Sequence, residues 1–103
     1  MDNRCVNEMR EMGYEQGSYL IGSCYFIRTV TYHYTGLLVS VTSDELVLDK
    51  AAWIADSGRF ADAMKTGEFS EVEPYPDGCL VRINRRAIVD CCDWKHGLPR
   101  TQK

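Results

Sequence analysis

Three arginines, Arg82, Arg85 and Arg86, stand close together near the C-terminal end of this sequence, with Asn84 among them. Guanidinium groups at this spacing suit an anion, because each presents a planar fork of donors and keeps its charge at any physiological pH. Strand alternation puts Arg82 and Asn84 opposite Val81 and Ile83, so Arg82 faces solvent, and Arg85 and Arg86 occupy the turn that follows. The same cluster would serve equally as a solvated turn or as ion-pair partners for the acidic residues of 68–77.

Other reactive residues are less well placed for chemistry. Cys24 and His33 are the one Cys and His pair in the strand-rich region, and nothing near them orients a nucleophile on its base. Cys92 and His96 amount to half of a metal site. Gly13, Gly17 and Gly22 lack the Lys-Ser/Thr of a phosphate loop and read as turn glycines. No catalytic string occurs, so neither an enzyme nor a cofactor or metal is expected. Tyr25, Phe26, Tyr32 and Tyr34 offer stacking surfaces for bases, although aromatics on the strands of a small fold more often fill a core or an interface.

Composition sets the frame for these residues. A chain of 103 residues, 45% hydrophobic and 26% charged, has the length and balance of one globular domain. The longest run without Asp, Glu, Lys or Arg, residues 29–43, is broken by Thr, Ser, His and Gly, whereas a spanning helix needs about 20 mostly apolar residues. No membrane span is expected. The opening Met1-Asp2-Asn3-Arg4 has no apolar run behind it, which argues against a secretory signal and for a cytoplasmic address. The five cysteines are an odd set, and adjacent Cys91 and Cys92 would point to opposite faces of a strand, so reduced, packing thiols are expected. The net charge of −3 is unevenly spread: residues 44–77 hold nine acidic and three basic side chains, and residues 79–103 hold six basic and two acidic. Such asymmetry steers anions to one end, or one copy of the chain towards another.

The elements that position the arginines follow from periodicity. Cys5, Val6, Met9 and Met12 line one side of a helix within residues 1–13, with Asp2 as its cap and Gly13 as its stop. Residues 25–54 read as a meander of three strands, the first two meeting near Tyr34-Thr35-Gly36 and the second leaving by the polar turn Thr42-Ser43-Asp44-Glu45. Residues 58–66 repeat Phe60, Ala63 and Met64 at helical spacing, which predicts a two-turn helix packing Phe60 and Met64 inward. An acidic loop spans 68–78, a fourth strand 79–83 and a fifth 87–94, and the tail 95–103 is expected to fray.

This order of elements, with its residues, resembles the Sm-like proteins, the small barrels to which the bacterial RNA chaperone Hfq belongs. Residues 34–48, YTGLLVSVTSDELVL, look like the family's first motif, in which a glycine lets the second strand bend sharply before a polar turn and an apolar third strand. Asn84-Arg85-Arg86-Ala87-Ile88-Val89 is similar to the second motif, whose turn carries a basic residue facing a central pore. The chain also looks like small phage and mobile-element proteins with Sm-like folds. The resemblance covers residues 25–54 and 80–94 and implies a single domain over 1–103. It would be mainly β: a five-stranded, strongly bent barrel over 25–94 with an N-terminal helix and a short helical insertion between strands three and four. It further implies a homo-oligomeric ring of about five to seven copies that binds RNA or another single-stranded nucleic acid. Arg82, Arg85 and Arg86 would form the binding rim, and Ser43 and Asp44 would stand where the family's RNA-contacting loop lies. The alternative is a ring component of a phage or mobile-element assembly with no nucleic-acid role.

Overall fold

The computed structural model describes residues 19–103; the helix expected over 1–13 lies outside them. The described chain runs β1 (Cys24–Thr29), β2 (His33–Val41), β3 (Glu45–Asp56), α1 (Phe60–Thr66), β4 (Glu71–Pro74), β5 (Val81–Asn84), a 3-10 turn (Arg85–Ala87) and β6 (Ile88–Asp93). All six strands join one antiparallel sheet in the order β4-β3-β2-β1-β6, with β5 also paired to β3. The described residues are therefore mainly β, with one open sheet and six strands instead of five.

The extra strand arises within residues read as the acidic loop. β4 pairs with the far half of β3 (Ile54 opposite Val72) and β5 with its near half (Leu46 opposite Ile83). The two are halves of one path along β3, parted by residues 75–80, where Pro76 brings no backbone donor and Gly78 sits at φ 82°. Glu71 and Glu73 point outward around buried Val72, a period-2 pattern that the acidic composition conceals.

Bends let the sheet bury both faces. β3 carries one extra residue between the pairs Leu37–Asp49 and Thr35–Ala52, and Lys50 there takes φ 50°. Gly36 is needed opposite this bulge for space: a Cβ on it would stand 2.9 Å from the Leu48 Cβ. Before the bulge, Leu46 and Leu48 join Tyr25, Ile27, Leu38, Ala51 and Ile83 in one core; beyond it, Ala52 and Ile54 join Phe26, Ala63, Phe69, Val72 and Trp94 in a second.

The second core is covered by α1 and the tail. α1 starts at Phe60, two residues later than the sequence suggests, because Asp56 caps the preceding turn by accepting from the Gly58 N–H at 2.8 Å. Ala63 is its buried residue, and Phe60, expected inward, is 44% exposed with the Arg28 guanidinium 5.2 Å above its ring. The tail is strapped down instead of fraying. His96 Nε2 lies 2.8 Å from the Met64 carbonyl, Arg100 donates to the Tyr75 carbonyl and to Asp77, and Lys103 exchanges two backbone hydrogen bonds with Val72. These contacts satisfy backbone groups that a lone edge strand would leave unpaired. Among the described residues, no helix is long and apolar enough to cross a membrane.

Candidate functional site

Two tight turns meet where the arginines lie. In the first, between β2 and β3, the Thr42 Oγ1 accepts from the backbone N–H groups of Asp44 and Glu45 at 3.2 and 3.1 Å, a local arrangement typical of Thr at turns. In the second, the Asn84 side chain caps the 3-10 turn by accepting from the Arg86 N–H at 3.0 Å. The Arg85 N–H donates to the Asp44 carbonyl at 2.9 Å and locks one turn to the other.

Consecutive residues of a 3-10 turn diverge, and the arginines divide accordingly. Arg82 and Arg86 share a cleft of about 470 Å³ with Asn84, Asp44 and Glu45. Arg82 Nε stands 3.8 Å from Glu45 Oε1, with both side chains well exposed, so this pair is screened and weak. Arg85 turns away: its Nη1 donates to the Thr42 carbonyl at 2.6 Å and its guanidinium lies 5.1 Å from the Tyr19 ring centre. It lines a different groove, of about 600 Å³, which runs along β6 from Ile88 to Asp93 beside Tyr19 and Tyr25. Ser43 is exposed in the first turn and lines neither cavity. Four of the five residues expected to bind an anion thus sit around the two turns in two groups, and Ser43 stands aside. Glu45 and Asn84 are the lining residues that the site expectation did not include.

The arginine cleft is of mixed charge, with two cations facing two carboxylates. Arg82, Arg86 and Asn84 supply its donors, and no nucleophile lines it. Asp90, which lines the β6 groove, accepts from Arg28 in a charge-assisted pair that holds its carboxyl below the ordinary value. Burial, helped by Cys92, Asp93 and Asp90, pushes the Cys91 thiol up to about 12, so it stays protonated and inert at neutral pH. Cys24 is raised by burial as well. Its pairing opposite Leu37, against that of His33 opposite Arg28, separates the two by four positions along the sheet, about 13 Å. They do not form a pair. Among the described residues, no three His, Cys, Asp or Glu side chains are gathered as a metal would require, and Cys24, Cys79, Cys91 and Cys92 are free thiols.

What the turns build is a rim of cations and carboxylates between two strands, β5 and β6, each of which has a partner strand on one side only among the described residues. Compared with known proteins, the chain matches no family model, no curated protein and no solved structure.

Proposed function

We propose that this chain is a self-assembling, Sm-like binding module, in which β5 of one copy pairs with β6 of the next to close a ring, and that the Arg82–Arg86 cleft of each copy then binds single-stranded nucleic acid. The observation that carries the reading is the pair of one-sided strands flanking the arginine turn. An unpaired edge is a template for another strand, and β6 displays Val89 at 60% exposure while Leu80, at 45%, precedes β5. The edge of β4, by contrast, is blunted by Lys103. Ring closure through β5 and β6 would repeat the cleft around a common rim, where cations from neighbouring copies reinforce one another towards phosphate.

The chemistry supports binding over catalysis: a Cys91 thiol pinned in its protonated form and a Cys24 far from His33 supply no activated nucleophile. A second reading, a structural ring without nucleic acid, is favoured by Glu45 standing next to Arg82 and supplying the compensating charge from within. Light scattering combined with titration of a labelled short RNA at low salt tests both. A mass several times 11.8 kDa with salt-sensitive RNA binding is the expected result. Assembly without RNA binding selects the structural ring, and a monomer overturns the ring in either form.

A further inference from the structure

A second surface, involving none of the residues of the arginine cleft, is formed where β3 meets β4. Register places Tyr34, Trp53 and Glu73 side by side across β2, β3 and β4, so the three share one face of the sheet. Beside them Trp53, Glu73, Pro74, Tyr75 and Pro76 line a shallow cleft of about 240 Å³. Tyr32, half exposed, extends its aromatic wall by standing edge-on to Trp53 with ring centres 5.1 Å apart.

This cleft is held in shape before any ligand arrives. The Tyr75 N–H donates to the Ala51 carbonyl at 2.9 Å, and Arg100 donates to the Tyr75 carbonyl at 3.1 Å and to Asp77 at 2.7 Å. Pro74 and Pro76 fix the backbone on either side of Tyr75. The Trp53 indole N–H is buried beneath this wall and has no hydrogen-bond partner among the described residues.

We infer that this cleft docks an extended, proline-rich peptide segment bearing basic residues. Tyrosine, tryptophan and proline side chains form the ridged apolar wall against which a polyproline helix packs. Such a helix carries no internal hydrogen bonds, so its carbonyls stay in water while its apolar ridges meet the wall. Charge selects the flanks. Glu73, at the cleft itself, accepts from the neutral Gln102 amide, which leaves its charge in place. This carboxylate attracts Lys or Arg beside the prolines and disfavours a phosphate backbone. The shallowness of the cleft fits a strand lying across it, since sites that enclose small molecules run to about 300 Å³ and more.

The test uses the full chain, labelled with nitrogen-15, and an oligoproline peptide with arginine at both ends. The Trp53 indole signal is expected to move and saturate, while that of Trp94, which donates to the Gly97 carbonyl, stays in place. Glu73→Gln should weaken the peptide by about threefold, as an exposed charge pair does, and Tyr32→Ala by about fivefold, with both variants keeping the wild-type spectrum elsewhere. The proposal is overturned if the Trp53 signal does not move at millimolar peptide, or if a Gly/Ser peptide with the same terminal arginines binds as tightly. It is also overturned if oligothymidine shifts the same signal at lower concentration.

Discussion

The Arg85 guanidinium donates to the Thr42 carbonyl at 2.6 Å, joining two turns that are 43 residues apart in sequence. The bond fixes the 3-10 turn against the β2–β3 turn and so sets where β6 begins. Arg85→Ala is expected to destabilise the fold by about 1 kcal/mol, the worth of one partly exposed charge-assisted hydrogen bond. Urea denaturation reads this directly. A wild-type midpoint in the variant would show that Arg85 holds nothing.

Arg82 and Arg86 should behave differently, because they spend little on the fold. The double substitution Arg82→Ala with Arg86→Ala should leave the melting temperature nearly unchanged. It should also lower the salt dependence of RNA binding by about 0.7 in slope for each phosphate contact removed. Titrations at four salt concentrations measure this, and an unaltered slope would place the nucleic acid elsewhere.

Edge pairing can be blocked without touching the core. Val89 is exposed on β6, and a lysine there puts charge on a strand that would otherwise accept a neighbour. Val89→Lys is expected to reduce the mass in light scattering to that of a single chain, with the thermal midpoint of the monomer intact. Persistence of the assembly would exclude β6 from the interface.

Gly36 and Leu48 are coupled by lack of room. Gly36→Ala should cost about 1–3 kcal/mol, as overpacking does, because its Cβ would meet Leu48 at 2.9 Å. In combination with Leu48→Gly, which removes the Cβ that Ala in place of Gly36 would meet, the loss should be smaller than the sum of the two single losses. Strict additivity in the four-member cycle would contradict the close approach.

The Cys91 thiol titrates at about 12 in the folded chain, against 9.0 without the fold, chiefly because it is buried. A raised folded value means that its contribution to stability is complete below pH 9 and falls away as the pH rises towards 12, where the unfolded chain ionises first. Stability measured by denaturant should therefore decline across that window, and Cys91→Ala should flatten the decline. Equal slopes in both proteins would assign it to other groups.

Much of the sheet was legible because its signals are local. Alternation in Leu37, Val39 and Val41 and the polar turn at Thr42–Glu45 mark β2 and β3, and the tripeptide at Asn84–Arg86 marks the last turn. β4 was hidden because Glu71 and Glu73 outweigh Val72 in any reading by composition. The strap at 96–103 depends on partners as distant as Met64 and Val72, which no window of neighbouring residues contains. Within the candidate site, the separation of Arg85 from Arg86 comes from the 3-10 geometry, where a period of two no longer tells which way a side chain points.

The left-handed step at Lys50 makes β3 sensitive to its own length. Ala51 and Ala52 are adjacent and wholly buried, yet they belong to different cores. Beyond that step, Trp53 looks towards the aromatic cleft and Ile54 towards the interior under α1. Deleting one residue there would restore plain alternation and exchange the two, sending the indole inside and the isoleucine out. What this protein shows to a partner and what it hides are thus phased by a single residue, so substitutions can accumulate along β3 far more readily than any change in residue count.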